Sequence, residues 1–112
     1  MTNKRELGDK LENLILDLLK EINKNFSKTA NSGAKWSDGD IKHPLYVIEI
    51  KKKASSGGFS FPKKDYTKLV KISEKTLREW IYISSNNKEE LVACIDFNFL
   101  LELLELYIAN IK

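Results

Sequence analysis

The sequence predicts a mixed α/β fold in which a central β-sheet carries helices on both faces. Three observations predict it. A long amphipathic helical period occupies residues 5–25, apolar strand-like runs at 45–51 and 80–83 are separated by a second helical period, and an apolar helix closes the chain at 98–111. With 112 residues, 42% of them apolar, the chain suffices for one modest core but not two, so residues 1–112 form a single domain.

In the first helix Leu7, Leu11, Leu14, Ile15, Leu18, Leu19 and Ile22 recur at helical spacing. Glu12 falls about 20° from Leu19 and about 40° from Leu16 around the helix, at the margin of the apolar stripe. Glu6 and Asp9 lie further toward solvent, so Glu12 is the acid best placed to reach a site at the edge of the core. Residues 26–38 are rich in Ser, Thr, Asn, Gly and Lys and read as loop, with a short strand near Thr29. Residues 39–53 read as a hairpin in which Lys42-His43-Pro44 turns the chain into the strand 45–51, with His43 at the surface.

Ser55-Ser56-Gly57-Gly58 is a loop, and Pro62 opens the second helix. Tyr66, Leu69, Val70, Ser73 and Leu77 mark that helix, with Lys63, Lys64, Lys68, Lys71 and Lys75 on its outer side. Phe59 and Phe61 read as core residues. Residues 80–83 and 91–97 are strands joined through the polar turn 84–90, and the single cysteine, Cys94, is an apolar side chain that has no partner for an intramolecular disulfide. The last helix is apolar on nearly every side, through Leu100, Leu101, Leu103, Leu104, Leu106, Tyr107, Ile108 and Ile111. One sheet can cover only one face of such a helix, which predicts homodimerisation through it.

A charged fraction of 31% excludes wholesale disorder in combination with this apolar content, and no apolar run is long enough to cross a bilayer. Asp9, Glu12 and Asp17 interrupt the apolar residues of the N-terminal region, which does not match a secretory signal. The chain reads as soluble, intracellular and cytoplasmic. Its net charge is only +3, but residues 28–80 hold twelve basic residues against six acidic ones. That asymmetry suits a polyanion-binding face.

Within this basic region the strand 45–51 ends in Glu49-Ile50-Lys51. Strand alternation points Glu49 and Lys51 to one side and Ile48 and Ile50 to the other. Two like-facing charges at the end of a buried strand are expensive unless something uses them. Asp40, brought alongside by the hairpin, completes a set of two carboxylates and an amine. Hard oxygen ligands select Mg²⁺ or Mn²⁺, and a metal beside a phosphodiester polarises it and activates water. Taken alone, the same string also fits a solvent-facing charge pair at a strand end.

The ordered set Gly8-x-x-x-Glu12, Ser32-Gly33-Ala34, Ser37-Asp38-Gly39-Asp40-Ile41 and Glu49-x-Lys51 resembles the PD-(D/E)xK nuclease superfamily. Within it, the chain resembles the archaeal-type Holliday junction resolvases and their viral relatives, over roughly residues 5–104. The resemblance implies a restriction-endonuclease-like core. It implies that Glu12, Asp40 and Glu49 hold the metal, that Lys51 is the catalytic lysine, and that Ser32 lies near the scissile phosphate. Gly39 stands where the family has Pro, and the Asp-to-Glu interval is short. Asp38 is a rival to Asp40, but Asp40 directly precedes the apolar Ile41.

The function so implied is Mg²⁺-dependent cleavage of branched DNA, four-way junctions above all, with Mn²⁺ able to replace Mg²⁺. Lys35, Lys52, Lys53, Lys63, Lys64, Lys68 and Lys71 would contact DNA phosphates, and Trp36 lies near the presumed site. The alternatives are another nuclease of the superfamily, acting in nicking or DNA-end processing, and a non-catalytic DNA-binding module of the same fold. A nuclease of this size suits a virus or mobile element within a host cell.

Overall fold

A computed structural model describes residues 4–29, 39–52 and 57–111. Helix α1, Lys4–Ile22, leads into strand β1, Ser27–Lys28. Strands β2, Ile41–Lys42, and β3, Tyr46–Lys52, follow, then helix α2, Lys63–Thr76. Strands β4, Glu79–Ser85, and β5, Leu91–Ile95, precede the closing helix α3, Phe97–Asn110.

The five strands form one mixed sheet in the order β1-β2-β3-β4-β5. Only the β3–β4 pairing is parallel, with Glu49 beside Tyr82 and Lys51 beside Ser84; the others are antiparallel. A parallel pair needs a crossover, and α2 supplies it. The two faces of the sheet are covered by different helices. Ile48 and Ile50 of β3 pack with Ile41, Phe26 and the α1 residues Ile15 and Leu16. Val47 packs with Trp80, Tyr82 and the α2 residues Leu69 and Ile72. The expected mixed α/β architecture is therefore present, and strand alternation divides β3 between the two faces of the sheet.

Several boundaries differ from the sequence-based expectation. Leu45 lies outside β3 and is 61% exposed, its N–H donating to His43 Nδ1 at 3.0 Å and its carbonyl accepting from Glu79 N–H at 2.9 Å. His43 is buried rather than at the surface, its ring against Phe26 and Tyr46 with centroids 4.4 and 5.2 Å away and its Nε2 3.2 Å from Asn23 Oδ1. Pro62 is the N-cap of α2 in an extended conformation, not its first helical residue. Leu77 belongs to no core face: it adopts a left-handed conformation at the C-cap of α2, φ 57°, and is 91% exposed. Phe97 opens α3 instead of ending a strand. Asp96 caps that helix, its Oδ2 accepting from Asn98 N–H at 3.0 Å and Phe99 N–H at 3.3 Å.

Helix α3 buries Phe99 alone, against Tyr46 with ring centroids 5.9 Å apart. Its other large apolar residues are exposed. The expectation that one face would lie on the sheet fails, because the helix departs from its first turn and extends away; the molecule measures 50 × 29 × 29 Å.

Candidate acidic site at the β2–β3 edge

The site is built where β2 leaves β3. Gly39 makes a close approach there, with φ +67°. A Cβ at this position would meet the Ile48 carbonyl oxygen at 2.7 Å, so the chain can pass β3 this closely only with glycine. The next residue, Asp40, is tied down on three sides. Its N–H donates to the Ile48 carbonyl at 2.8 Å, and its carbonyl accepts from Thr29 N–H at 3.0 Å. Its carboxylate Oδ2 accepts from Ile50 N–H at 2.8 Å.

Glu49 lies between Ile48 and Ile50, and its side chain points to the α2 side of the sheet. Only 6% of it is exposed. Its carboxyl is within hydrogen-bonding reach of Asp40, and its proton affinity is raised from the usual 4.5 to about 7. Burial is the main cause, followed by the negative charge of Asp40 and the hydrogen bond with it. Lys68 of α2 opposes the shift: its Nζ lies 3.2 Å from Glu49 Oε2. The side chain of Lys68 is 42% exposed, so it spans from solvent to a carboxylate that is nearly enclosed.

The structure thus joins Asp40 and Glu49, the two carboxylates that the sequence paired across the hairpin. It puts Lys51 two residues along the same strand face, exposed, and gives the contact with Glu49 to Lys68. Glu12 is half-buried at the margin of the α1 stripe, its Oε1 shielded from solvent. Helix α1 packs on the Ile48/Ile50 face, whereas Glu49 faces α2. Among the described residues no three acidic, His or Cys side chains gather closely enough to hold a metal ion. Ser32, Lys35, Trp36, Asp38 and Lys53 lie outside the described residues, as does the side chain of Lys52. Lys63, Lys64 and Lys71 are exposed on α2, as a phosphate-contacting face requires.

Two polar devices near the site escaped the sequence reading. Asp65 Oδ2 accepts from the buried Tyr82 hydroxyl at 3.0 Å, one of the causes, after burial, that hold this phenol above its usual proton affinity. Asn86 is fully buried at the end of β4, and its Nδ2 donates to the Gly57 carbonyl and to Glu90 Oε1, each at 2.8 Å. Its Oδ1 accepts from Lys88 N–H at 3.0 Å and Glu90 N–H at 2.9 Å. Ser60 N–H also donates to Ser84 Oγ, at 3.3 Å. These bonds fasten the segment after β3 onto the ends of β4 and β5. Phe61 packs on Tyr82 with centroids 4.2 Å apart, whereas Phe59 is 42% exposed.

The donor chemistry fits a hard divalent cation. Mg²⁺ characteristically takes one or two carboxylates and fills its remaining positions with water and phosphate oxygens. Asp40 and Glu49 supply two such carboxylates, and burial together with the neighbouring charge of Asp40 raises the proton affinity of Glu49. Compared with protein-family models, curated proteins and solved structures, the chain gives no match.

Proposed function

We propose that this chain is a metal-dependent endonuclease with a restriction-endonuclease-like core, acting on branched DNA as a junction resolvase does. The observation that carries the reading is the Asp40–Glu49 pair, held together at a strand edge although the charge of Asp40 makes ionised Glu49 more costly. Backbone bonds to Ile48 and Ile50 fix Asp40, and burial fixes Glu49, so the two carboxylates are preorganised. A divalent ion held there supplies Lewis-acid polarisation of a phosphodiester and lowers the pKa of its water. Lys51 lies two residues further on the same strand face and projects toward solvent, where it meets the developing charge on phosphate. Glu12 and Ser32 are assigned supporting roles by the resemblance to the PD-(D/E)xK superfamily.

The exposed lysines of α2 support a nucleic acid partner, because they present cations from the neighbourhood of Glu49 along one helix. No described element suits base readout, which favours recognition of backbone and shape. A second copy of the chain, joined through α3, suits a four-way junction, whose two equivalent strands call for two sites related by a two-fold axis.

The test is incubation of the full chain with labelled four-way junction, nicked, flapped and linear duplex DNA, with and without Mg²⁺. Paired symmetric nicks in the junction, dependent on Mg²⁺, are the expected result. Equal cutting of linear duplex would point to a different nuclease of the superfamily, and junction binding with no cutting under any metal would mark a non-catalytic DNA-binding module.

A further inference from the structure

Lys68, expected from the sequence only as a phosphate contact, reaches the carboxylate of Glu49. Its Nζ sits 3.2 Å from Glu49 Oε2, while its neighbour on α2, Leu69, is fully buried in the core beside Val47 and Tyr82. The position of the Lys68 backbone is therefore fixed by packing, and its flexible four-carbon stem reaches back over the sheet to the acid. Lys64, Lys68, Lys71 and Lys75 stand at i, i+4, i+7 and i+11, which places them on one side of α2. Lys68 is the member of that row that the fold brings onto Glu49.

A divalent ion and an ammonium would compete for Glu49. Both are attracted to the same carboxylate, and side by side they repel each other in a poorly solvated setting. We propose that Lys68 is a positioning residue that occupies the cation place at Glu49 in the metal-free protein, yields it to the incoming divalent ion, and then turns outward with Lys64 and Lys71 toward a phosphate of the substrate. This inference rests on the metal-dependent reading of the Asp40–Glu49 pair. It makes Lys68 a stand-in charge that keeps the buried Glu49 oriented until metal arrives, and it predicts a sign that a merely structural lysine would not give. Loss of a structural prop weakens metal binding, whereas loss of a competitor strengthens it.

The experiment measures Mn²⁺ binding to the full chain by calorimetry without DNA at pH 8.5, for wild type, Lys68→Met, Lys68→Gln and Glu49→Gln. Both Lys68 variants are expected to bind Mn²⁺ several-fold more tightly than wild type with unchanged stoichiometry, and Glu49→Gln is expected to lose the site. An independent reading on unmutated protein is the Lys68 side-chain resonance, assigned by its disappearance in Lys68→Met. On addition of diamagnetic Mg²⁺ it is expected to move toward the values of exposed lysines. If both Lys68 variants bind Mn²⁺ no better than wild type and the resonance stays where it was, Lys68 is not a stand-in, and the nuclease reading is still decided by the cleavage assay. If neither wild type nor the Lys68 variants bind Mn²⁺, or if Glu49→Gln binds it as wild type does, the inference and the metal site fall together.

Discussion

The carboxylate of Asp40 accepts the backbone N–H of Ile50 at 2.8 Å, a bond that a neighbouring strand would ordinarily supply. Strand β2 pairs with β3 at Val47 and Ile48 and then turns away, so Ile50 N–H would face the gap without a partner. The Asp40 side chain fills that place, and in doing so it is held against Glu49, one residue back on the same strand. One bond thus completes the sheet edge and assembles the acidic pair.

Asp40→Ala is therefore expected to cost about 1–3 kcal/mol, the penalty for leaving a poorly solvated donor unsatisfied. Asp40→Asn keeps an acceptor oxygen and is expected to recover most of that loss. The charge is absent from both variants, so activity should be lost in both. Urea denaturation of the pair separates the two roles; equal destabilisation by Ala and Asn would remove the hydrogen bond from the explanation.

Glu49 gives the stability a definite pH dependence. Its carboxyl titrates near 7 in the fold against an ordinary value of 4.5. Between these values the folded chain holds a proton that the unfolded chain has released, so stability from this group is complete below about 4.5 and is lost as the pH rises through 7. Glu49→Gln carries no such slope. It is expected to match wild type near pH 5 and to exceed it at pH 8, by an amount on the order of 3 kcal/mol at most. Denaturation midpoints at the two pH values check this, and a difference that does not change with pH would contradict it.

Gly39 is the point at which the close approach to β3 becomes possible. An added methyl group would meet the Ile48 carbonyl oxygen at 2.7 Å in a backbone region, φ +67°, that other residues enter at a cost. Gly39→Ala is expected to destabilise the fold by roughly 1–3 kcal/mol. It should also lower metal-dependent activity, because Asp40 is the next residue. Gly39→Pro should be worse, since proline fixes φ near −65°. Thermal unfolding of both variants tests the order.

Much of the fold was legible because periodicity carries it. The Leu and Ile spacing of α1 and the alternation that sends Ile48 and Ile50 to one face of the sheet and Val47 to the other follow from side-chain period. The pairing of Asp40 with Glu49 was legible for the same reason, since a hairpin between them fixes which side chains meet. Lys68 on Glu49 was not, because it depends on the register of a crossover helix against the sheet, which local pattern does not encode. Buried His43 packs on Phe26 and Tyr46, and buried Asn86 makes four bonds to groups up to 29 residues away in sequence. Polar residues in loops read as solvated until their partners are known. Glu12 is half-buried at the edge of its stripe, as the helical period predicts.

Asn86 is a node whose removal should be costly. Its amide makes two donated and two accepted bonds while fully buried, which uses its whole capacity. Asn86→Ala strips partners from Gly57, Lys88 and Glu90 together, and a loss of about 2–4 kcal/mol is expected. Asn86→Asp should fare no better, because a carboxylate there would face the Gly57 carbonyl and the Glu90 carboxylate. Hydrogen exchange at Lys88 and Glu90 amides should accelerate in both variants, and unchanged exchange would mean that the turn is held by other contacts.

Helix α3 separates what the single chain needs from what a second copy would supply. Phe99 is buried at 8% exposure, whereas Leu106 and Ile108 are 62% and 64% exposed. Within one chain, Phe99→Ala should cost about 3–5 kcal/mol, while Leu106→Ala or Ile108→Ala should alter stability by no more than about 0.5 kcal/mol. If α3 joins two copies, the order changes with concentration, because association stabilises the folded state by mass action. At micromolar protein, Leu106→Ala and Ile108→Ala should then lower the unfolding midpoint and shift the mass seen by light scattering toward the monomer, while at high dilution both should match wild type. A monomeric wild-type mass at micromolar concentration, with midpoints independent of dilution, would show that these side chains serve no second copy.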